Sequence, residues 1–152
     1  DLGSGSGFYS IECAKLVGNR GRVYSIDVQQ DLLDKIKNSA SLLGLHNVEI
    51  VWGNIEKIGG TKLREAVVDR AILSNTLFQI EEKDRDNLVL EIKRILRPGG
   101  KILVVDWDDS DLGPQVKVKI DKAQGLFEKA GFVTEKRFDV GDHHYGLILK
   151  RQ

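Results

Sequence analysis

The chain has 152 residues, 41% of them hydrophobic, which is the size of one domain with a core of its own, and no apolar run approaches the roughly 18 residues of a membrane span. Lys+Arg and Asp+Glu both total 23, so no bulk charge drives binding to nucleic acid or to a membrane surface. The single cysteine, Cys13, excludes an internal disulfide framework and any multi-cysteine zinc site. Methionine is absent. Asp1 is therefore not expected to be a biological start, the sequence is expected to be an N-terminally truncated piece of a longer protein, and the lack of a signal peptide says nothing about targeting.

Helix-period and strand-like segments alternate along the chain, which predicts an α/β domain with a mostly parallel sheet. After the opening glycines, Ile11, Ala14 and Val17 form one helical stripe that stops at Gly18. Arg22–Asp27 is a β-rich run. Leu33, Ile36, Ala40 and Leu43 repeat at helical spacing up to Gly44, and Val48–Trp52 alternates as a strand. Ile55–Glu65, broken by Gly59-Gly60, reads as a loop or short helix. Val67–Ser74 is the next strand; Leu88, Ile92, Ile95 and Leu96 mark a helix closed by a turn at Arg97-Pro-Gly-Gly100. Lys101–Asp106 is a near-continuous apolar run, as in a strand covered on both faces. Asp121 and Gln124 make a capping box for a helix with Ala123, Leu126, Phe127 and Ala130 on its apolar face, ended by Gly131. Val133–Val140 and His144–Lys150 close the chain as a hairpin around Gly141-Asp142. No linker divides the sequence, so residues 1–152 are read as a single domain.

The opening Asp1-Leu-Gly3-Ser-Gly5-Ser-Gly7 runs straight into a helix. Alternate glycines let a ligand approach the backbone closely, and the helix behind them offers free N–H groups and the positive end of its dipole. Asp27 ends the following strand, where a carboxylate can accept hydrogen bonds from both hydroxyls of a ribose. Together these features indicate an adenosine-containing cofactor. A dinucleotide loop usually reads G-x-G-x-x-G; here the spacing is Asp-x-Gly-x-Gly-x-Gly, with an acidic residue where a pyrophosphate would be unwelcome. A zwitterionic amino-acid tail suits that charge, with its ammonium near Asp1 and its carboxylate at the helix N–H groups. S-adenosylmethionine has such a tail.

These residues, with Ile26-Asp27, Gly53-Asn54-Ile55, Asp69–Asn75 and Leu96–Asp106, resemble the class I S-adenosylmethionine-dependent methyltransferases, in the family's order and over nearly the whole chain. Ser74-Asn-Thr-Leu-Phe-Gln79 and Gly141-Asp-His-His-Tyr-Gly146 are similar to the bacterial group that resembles the ubiquinone/menaquinone C-methyltransferases. The resemblance implies a Rossmann-like sandwich of strand order 3-2-1-4-5-7-6 with an antiparallel C-terminal hairpin. It implies that Gly3, Gly5 and Gly7 shape the methionine-tail pocket beside Asp1, that Asp27 holds the ribose, and that Val28 lies against the adenine. Asn54 stands where the family usually has Asp, at the adenine amine, and keeps a carbonyl acceptor for that task. Ile55 would offer its backbone N–H to the ring, and Ser74 and Asn75 would line the sulfonium end. In the family fold the first strand ends at Asp1-Leu2, so that central strand is largely missing. A gap or strained junction in mid-sheet and poor stability of the isolated chain are expected.

Methyl transfer from a sulfonium is an in-line displacement, and orientation supplies much of the catalysis, up to about 7–11 kcal/mol. A base is needed only where the acceptor must lose a proton. The Asn/Asp-Pro-Pro-aromatic motif of amino-group methylation is absent, since Ser74-Asn75-Thr76-Leu77 stands there. Cys13, on the first helix, reads as a packing residue rather than the nucleophile of cytosine methylation. A metal-dependent site would need clustered acids near the fourth family strand, where only Asp69 stands, so no metal is expected. The candidates for base or substrate donor are His143 and His144, at the start of the family's last strand, with a solvated hairpin turn as the other reading. Asp106, Trp107, Asp108 and Asp109 share that sheet edge, where the run to Asp111 also reads as a solvated loop; His46 reads as structural or exposed.

The expectation is a cytoplasmic methyltransferase using S-adenosyl-L-methionine on a small-molecule acceptor, with no nucleic-acid partner. Two alternatives stay open: an NAD-dependent Rossmann oxidoreductase, disfavoured by the loop spacing and terminal hairpin, and a non-catalytic S-adenosylmethionine-binding module.

Overall fold

A computed structural model describes residues 1–108 and 111–152. Helix α1 (Phe8–Val17) follows the glycine loop, then strand β1 (Val23–Asp27), helix α2 (Gln30–Leu42) and strand β2 (Val48–Trp52). Strand β3 (Val68–Ser74), helix α3 (Arg85–Ile95), strand β4 (Leu96–Trp107), helix α4 (Ile120–Lys129) and strands β5 (Phe132–Val140) and β6 (His144–Arg151) complete the chain.

The strands form two blocks, β2-β1 and β3-β4-β6-β5. β1 pairs parallel with β2, β3 parallel with β4, and β6 runs antiparallel between β4 and β5. Leu2 bridges the blocks, in parallel with Ile26 on one side and Leu73 on the other. With Leu2 in the place of the first family strand, the order is the one the resemblance implies. Below Leu2 lies a slot of about 590 Å³ between β1 and β3, bordered by Leu16, Val17, Tyr24, Val68 and Ile72. This is the expected mid-sheet gap.

Strand alternation puts successive side chains on opposite faces and so makes three layers. Ser25 meets α1, donating its hydroxyl to Ser10 Oγ at 2.7 Å, whereas Ile26 joins the core under α3 and α4 with Leu73, Leu88, Ile92, Val104 and Phe127. Ile11, Leu33, Ile36 and Ala40 form a smaller cluster between α1 and α2.

Several local expectations change. Val17 leaves the buried stripe of α1 and is 46% exposed, and Leu96 starts β4 instead of closing α3. Leu43 leaves the apolar stripe and is 54% exposed, because α2 ends at Leu42 and the chain turns at Gly44. Arg97–Gly100 is not a free turn but lies within β4: Val68 pairs with Leu96 and Arg70 with Lys101, so the extra residues bulge out of one continuous ladder. The capping box does not form. Lys119 occupies the N-cap of α4 without a side-chain cap, and the Asp121 carboxylate instead pairs with Arg137 at 2.8 Å.

Candidate cofactor site at the strand ends

The glycine loop closes over the ends of the central strands through its backbone. Gly3 N–H and Ser4 N–H both donate to Ile26 O, at 2.9 and 3.0 Å, and Gly7 N–H donates to Ser4 O at 2.9 Å. Gly3, Gly5 and Gly7 all have positive φ, +68°, +51° and +86°, a region that side chains disfavour. Their surroundings differ. A Cβ on Gly3 would come within 2.7 Å of Thr76 Oγ1, and one on Gly7 within 2.5 Å of Ile36 Cγ1, while one on Gly5 would meet nothing within 4 Å. Gly3 and Gly7 are packing glycines; Gly5 is open to a ligand.

Asp27 is almost fully buried at the end of β1. Its Oδ2 accepts from Gly5 N–H at 2.9 Å and its Oδ1 from Gln29 N–H at 2.9 Å, and each oxygen has capacity for a second donor. The residue expected to hold a ribose therefore also fixes the loop. Asp1 Oδ2 accepts from Ser10 Oγ at 2.6 Å. Asn54 Oδ1 accepts from Glu56 N–H at 2.8 Å, which folds the chain back at the end of β2. Asn75 is left-handed without being glycine, φ +51°, a conformation met chiefly where the surroundings enforce it. Here Asn75 N–H donates to Val105 O at 2.9 Å and Gln79 Nε2 donates to Asn75 O at 2.7 Å.

These segments enclose a cavity of about 420 Å³, within the range of small-molecule sites. Asp1, Gly3, Gly5, Asp27, Val28, Asn54, Ile55, Ser74 and Asn75 all line it. Gly7 does not; it sits behind the loop against Ile36. Phe8, Tyr9, Gln29, Thr76, Gln79 and Ile80 also line the cavity and were not singled out from the sequence. Phe8 carried a signal, since an aromatic side chain directly after the loop, at the exposed start of a helix, has no core to enter; it is 69% exposed. Ser4 Oγ, which borders the cavity, is buried and has no hydrogen-bond partner. A polar ligand group would satisfy it.

His143 and His144 are not among the lining residues. His144 pairs in register with Trp107, ring centroids 4.3 Å apart, and His143 O accepts from Asp108 N–H at 2.9 Å. His143 Nδ1 and His144 Nε2 are buried without partners. Asp106 is not in a solvated loop. It is fully buried at the end of β4, whereas Asp111 is exposed and Asp109 lies outside the described residues. His46 is exposed, and Cys13 borders the slot rather than the cavity.

A family model described as a methyltransferase domain matches residues 1–144. The chain is 33% identical over 111 residues to an arsenite methyltransferase of Aquipseudomonas alcaligenes, covering 70% of this chain and 31% of that protein. It is 29% identical over 135 residues to the ubiquinone/menaquinone biosynthesis C-methyltransferase of Vibrio campbellii, covering 86% and 49%. The chain thus spans a third to a half of the length of these curated relatives. The crystal structure of a SAM-dependent methyltransferase from Aquifex aeolicus superposes with a TM-score of 0.88 at 28% identity, over 100% of this chain and 80% of that one.

Proposed function

The chain belongs to the methyltransferase-domain family, and from that premise we propose that it binds S-adenosylmethionine in the glycine-loop cavity and holds it for methyl transfer to a small-molecule acceptor. The observation that carries the reading is Asp27, whose carboxylate is locked to Gly5 N–H at the edge of a cavity into which Gly5 itself opens. A loop fixed to its own acidic partner is preorganised, so little ordering is left for ligand binding.

The residues fit the cofactor. Asp27 keeps acceptor capacity for ribose hydroxyls, Ser4 Oγ lacks a partner that a polar tail would supply, and Val28 and Ile55 give the adenine an apolar rest. When bound, S-adenosylmethionine supplies a methyl group already activated on a positively charged sulfur. The protein's task is to orient donor and acceptor, and the strained Asn75, beside Ser74, sets the wall expected at the sulfonium end. His143 and His144 are the acceptor-side candidates, as base or hydrogen-bond donor, for the part of the reaction that lies outside the cavity proper.

The relatives' names carry two acceptor chemistries, arsenite and a carbon atom in quinone biosynthesis.

Calorimetric titration with S-adenosylmethionine, S-adenosylhomocysteine and NADH tests the proposal. Both adenosyl compounds should bind, and tight NADH binding with no heat from either would overturn it. Asp27→Ala should weaken S-adenosylhomocysteine about ten- to hundredfold, the range for losing hydrogen bonds to a charged group; unchanged affinity would remove Asp27 from the site. Trp52, whose indole Nε1–H donates to Val28 O at 2.9 Å, supplies a fluorescence readout beside the adenine wall. His143→Ala and His144→Ala should lower turnover more than cofactor affinity. Binding without turnover on quinone-ring or arsenite acceptors would point instead to a non-catalytic binding module.

A further inference from the structure

Asp106 has no place in the cavity, yet its carboxylate is fully buried and committed to backbone donors. Oδ2 accepts from Phe78 N–H at 3.2 Å and Oδ1 from Trp107 N–H at 2.8 Å, with the Leu77 N–H as a further donor. Phe78 is the middle residue of a 3₁₀ turn, Leu77–Gln79, which has no cap of its own: Thr76 at its N-cap makes no side-chain cap bond and donates its hydroxyl backwards, to Ser74 O at 2.9 Å. The orphan donors of such a turn need an acceptor, and a carboxylate from another strand supplies it. The far end of the turn is held in the opposite sense. Arg85, buried at the start of α3, donates Nε–H to Ile80 O at 3.0 Å.

The clamped segment forms one wall of the cavity through Thr76, Gln79 and Ile80. Thr76 presses on the glycine loop so closely that a Cβ on Gly3 would collide with it. An unbroken set of contacts thus runs from Asp106 through the turn and Thr76 to Gly3.

We propose that Asp106 is a positioning residue for the cofactor cavity, its buried carboxylate holding the 76–80 turn against the glycine loop so that the two walls keep the separation the cofactor needs. The proposal rests on the cofactor reading above and adds to it a residue that never touches the ligand. Charge matters to the device, since a carboxylate accepts backbone hydrogen bonds more strongly than a neutral acid does. Burial raises the Asp106 carboxyl above its ordinary range, against the lowering effect of the Trp107, Phe78 and Leu77 amides and of His144. The other ionisable groups facing this corner are Tyr145 on β6 and Arg85 on α3. A carboxyl raised in this way holds its proton more tightly in the closed site than in water, so the clamp is read at neutral pH, where geometry and charge act together.

The test is the near-isosteric Asp106→Asn, with two readouts. In the ligand-free protein at neutral pH, amide hydrogen exchange across 76–80 should quicken about tenfold or more, while the central strands keep their protection; unchanged exchange there overturns the proposal. Calorimetric affinity for S-adenosylhomocysteine at neutral pH should fall about tenfold. Equal affinities overturn the proposal as well. A wild-type chain that binds no S-adenosylhomocysteine defeats the cofactor reading instead, and the exchange measurement still decides whether Asp106 holds the turn. If Asp106→Asn loses protection everywhere and does not fold, Asp106→Glu, which keeps the charge and shifts it by one methylene, takes its place: exchange across 76–80 should quicken while β4 and β6 keep their protection, and unchanged exchange at 76–80 overturns the proposal.

Discussion

The three loop glycines look alike in sequence and do different things in space, and alanine separates them. Gly5→Ala places a methyl group where no protein atom lies within 4 Å, at φ +51°. Its stability cost should be only the left-handed penalty, about 1–2 kcal/mol, while S-adenosylhomocysteine affinity falls tenfold or more. Gly7→Ala meets Ile36 Cγ1 at 2.5 Å and adds φ +86°. It should cost about 2–4 kcal/mol in urea unfolding through overpacking and strain together. If Gly7→Ala unfolds at the wild-type midpoint, or Gly5→Ala binds as wild type does, the division between packing and ligand glycines is wrong. Spacing alone located the loop and its partner Asp27. It did not identify Thr76 as the neighbour of Gly3, or Gln79 as part of the same cavity, because both come from the turn after β3 and are brought there only when the sheet forms.

Among the elements, α3 does more than its apolar stripe shows. The Glu91 side chain is fully buried on that helix. It accepts from Gly59 N–H at 2.7 Å, Thr61 N–H at 3.2 Å, the Thr61 hydroxyl, and Arg94 Nε–H at 2.7 Å, pinning the loop that follows Asn54 and Ile55. Burial by itself would raise its pKa, but the hydrogen bonds from Arg94, Thr61 and Gly59 outweigh it and hold the carboxyl at about 2, below the ordinary 4.5. A carboxyl depressed in this way stabilises the fold fully above the ordinary value and progressively less as pH falls toward 2. Glu91→Gln should therefore cost about 3–5 kcal/mol at neutral pH, as for a broken buried pair. It should also remove much of the loss of stability with acid between about pH 4.5 and 2. Urea titrations at pH 7 and pH 3 check both, and a variant with an unshifted midpoint at pH 7 would show the network to be dispensable. The periodicity of α3 gave its place and its buried face, Leu88, Ile92 and Ile95. Glu91 read only as a charge, because its partners other than Arg94, namely Gly59 and Thr61, lie about 30 residues upstream in a segment without periodicity. The bulge at Arg97–Gly100 was hidden for a related reason: Pro-Gly-Gly reads as a turn in isolation, and only its pairing with β3 makes it part of a strand.

Across residues 1–152, the two blocks of sheet meet at one narrow seam. Leu2 N–H to Ile72 O, Ile26 N–H to Asp1 O and Gly3 N–H to Ile26 O, at 2.9 to 3.0 Å, stitch it at the upper end, and the slot of about 590 Å³ lies below. Apolar walls that meet solvent give up burial worth roughly 25 cal/mol per Å². The 152-residue chain should therefore melt broadly, with a midpoint below the ~45–65 °C usual for mesophilic domains. A sharp, cooperative transition above that range by calorimetry would refute the weakness of the seam. Saturating S-adenosylhomocysteine should raise the midpoint by mass action, since the cavity proposed for it is lined by Asp27 from one block and Ser74 from the other.

The alternating periodicities of these 152 residues were enough to determine an α/β domain, and the glycine spacing with Asp27 pointed to the cavity at the strand ends. Those features are local, written in residues close together in the chain, and the family order followed from the motifs that carry them. Tertiary structure decided the rest: that Gly7 packs while Gly5 opens, that Asp106 is buried beneath a turn instead of solvated, that His143 and His144 do not line the cavity, and that Leu2 bridges two blocks of sheet. Each of these depends on contacts between distant segments. Burial and hydrogen-bond partners at such contacts are set by the fold as a whole, and no stretch of sequence carries them by itself.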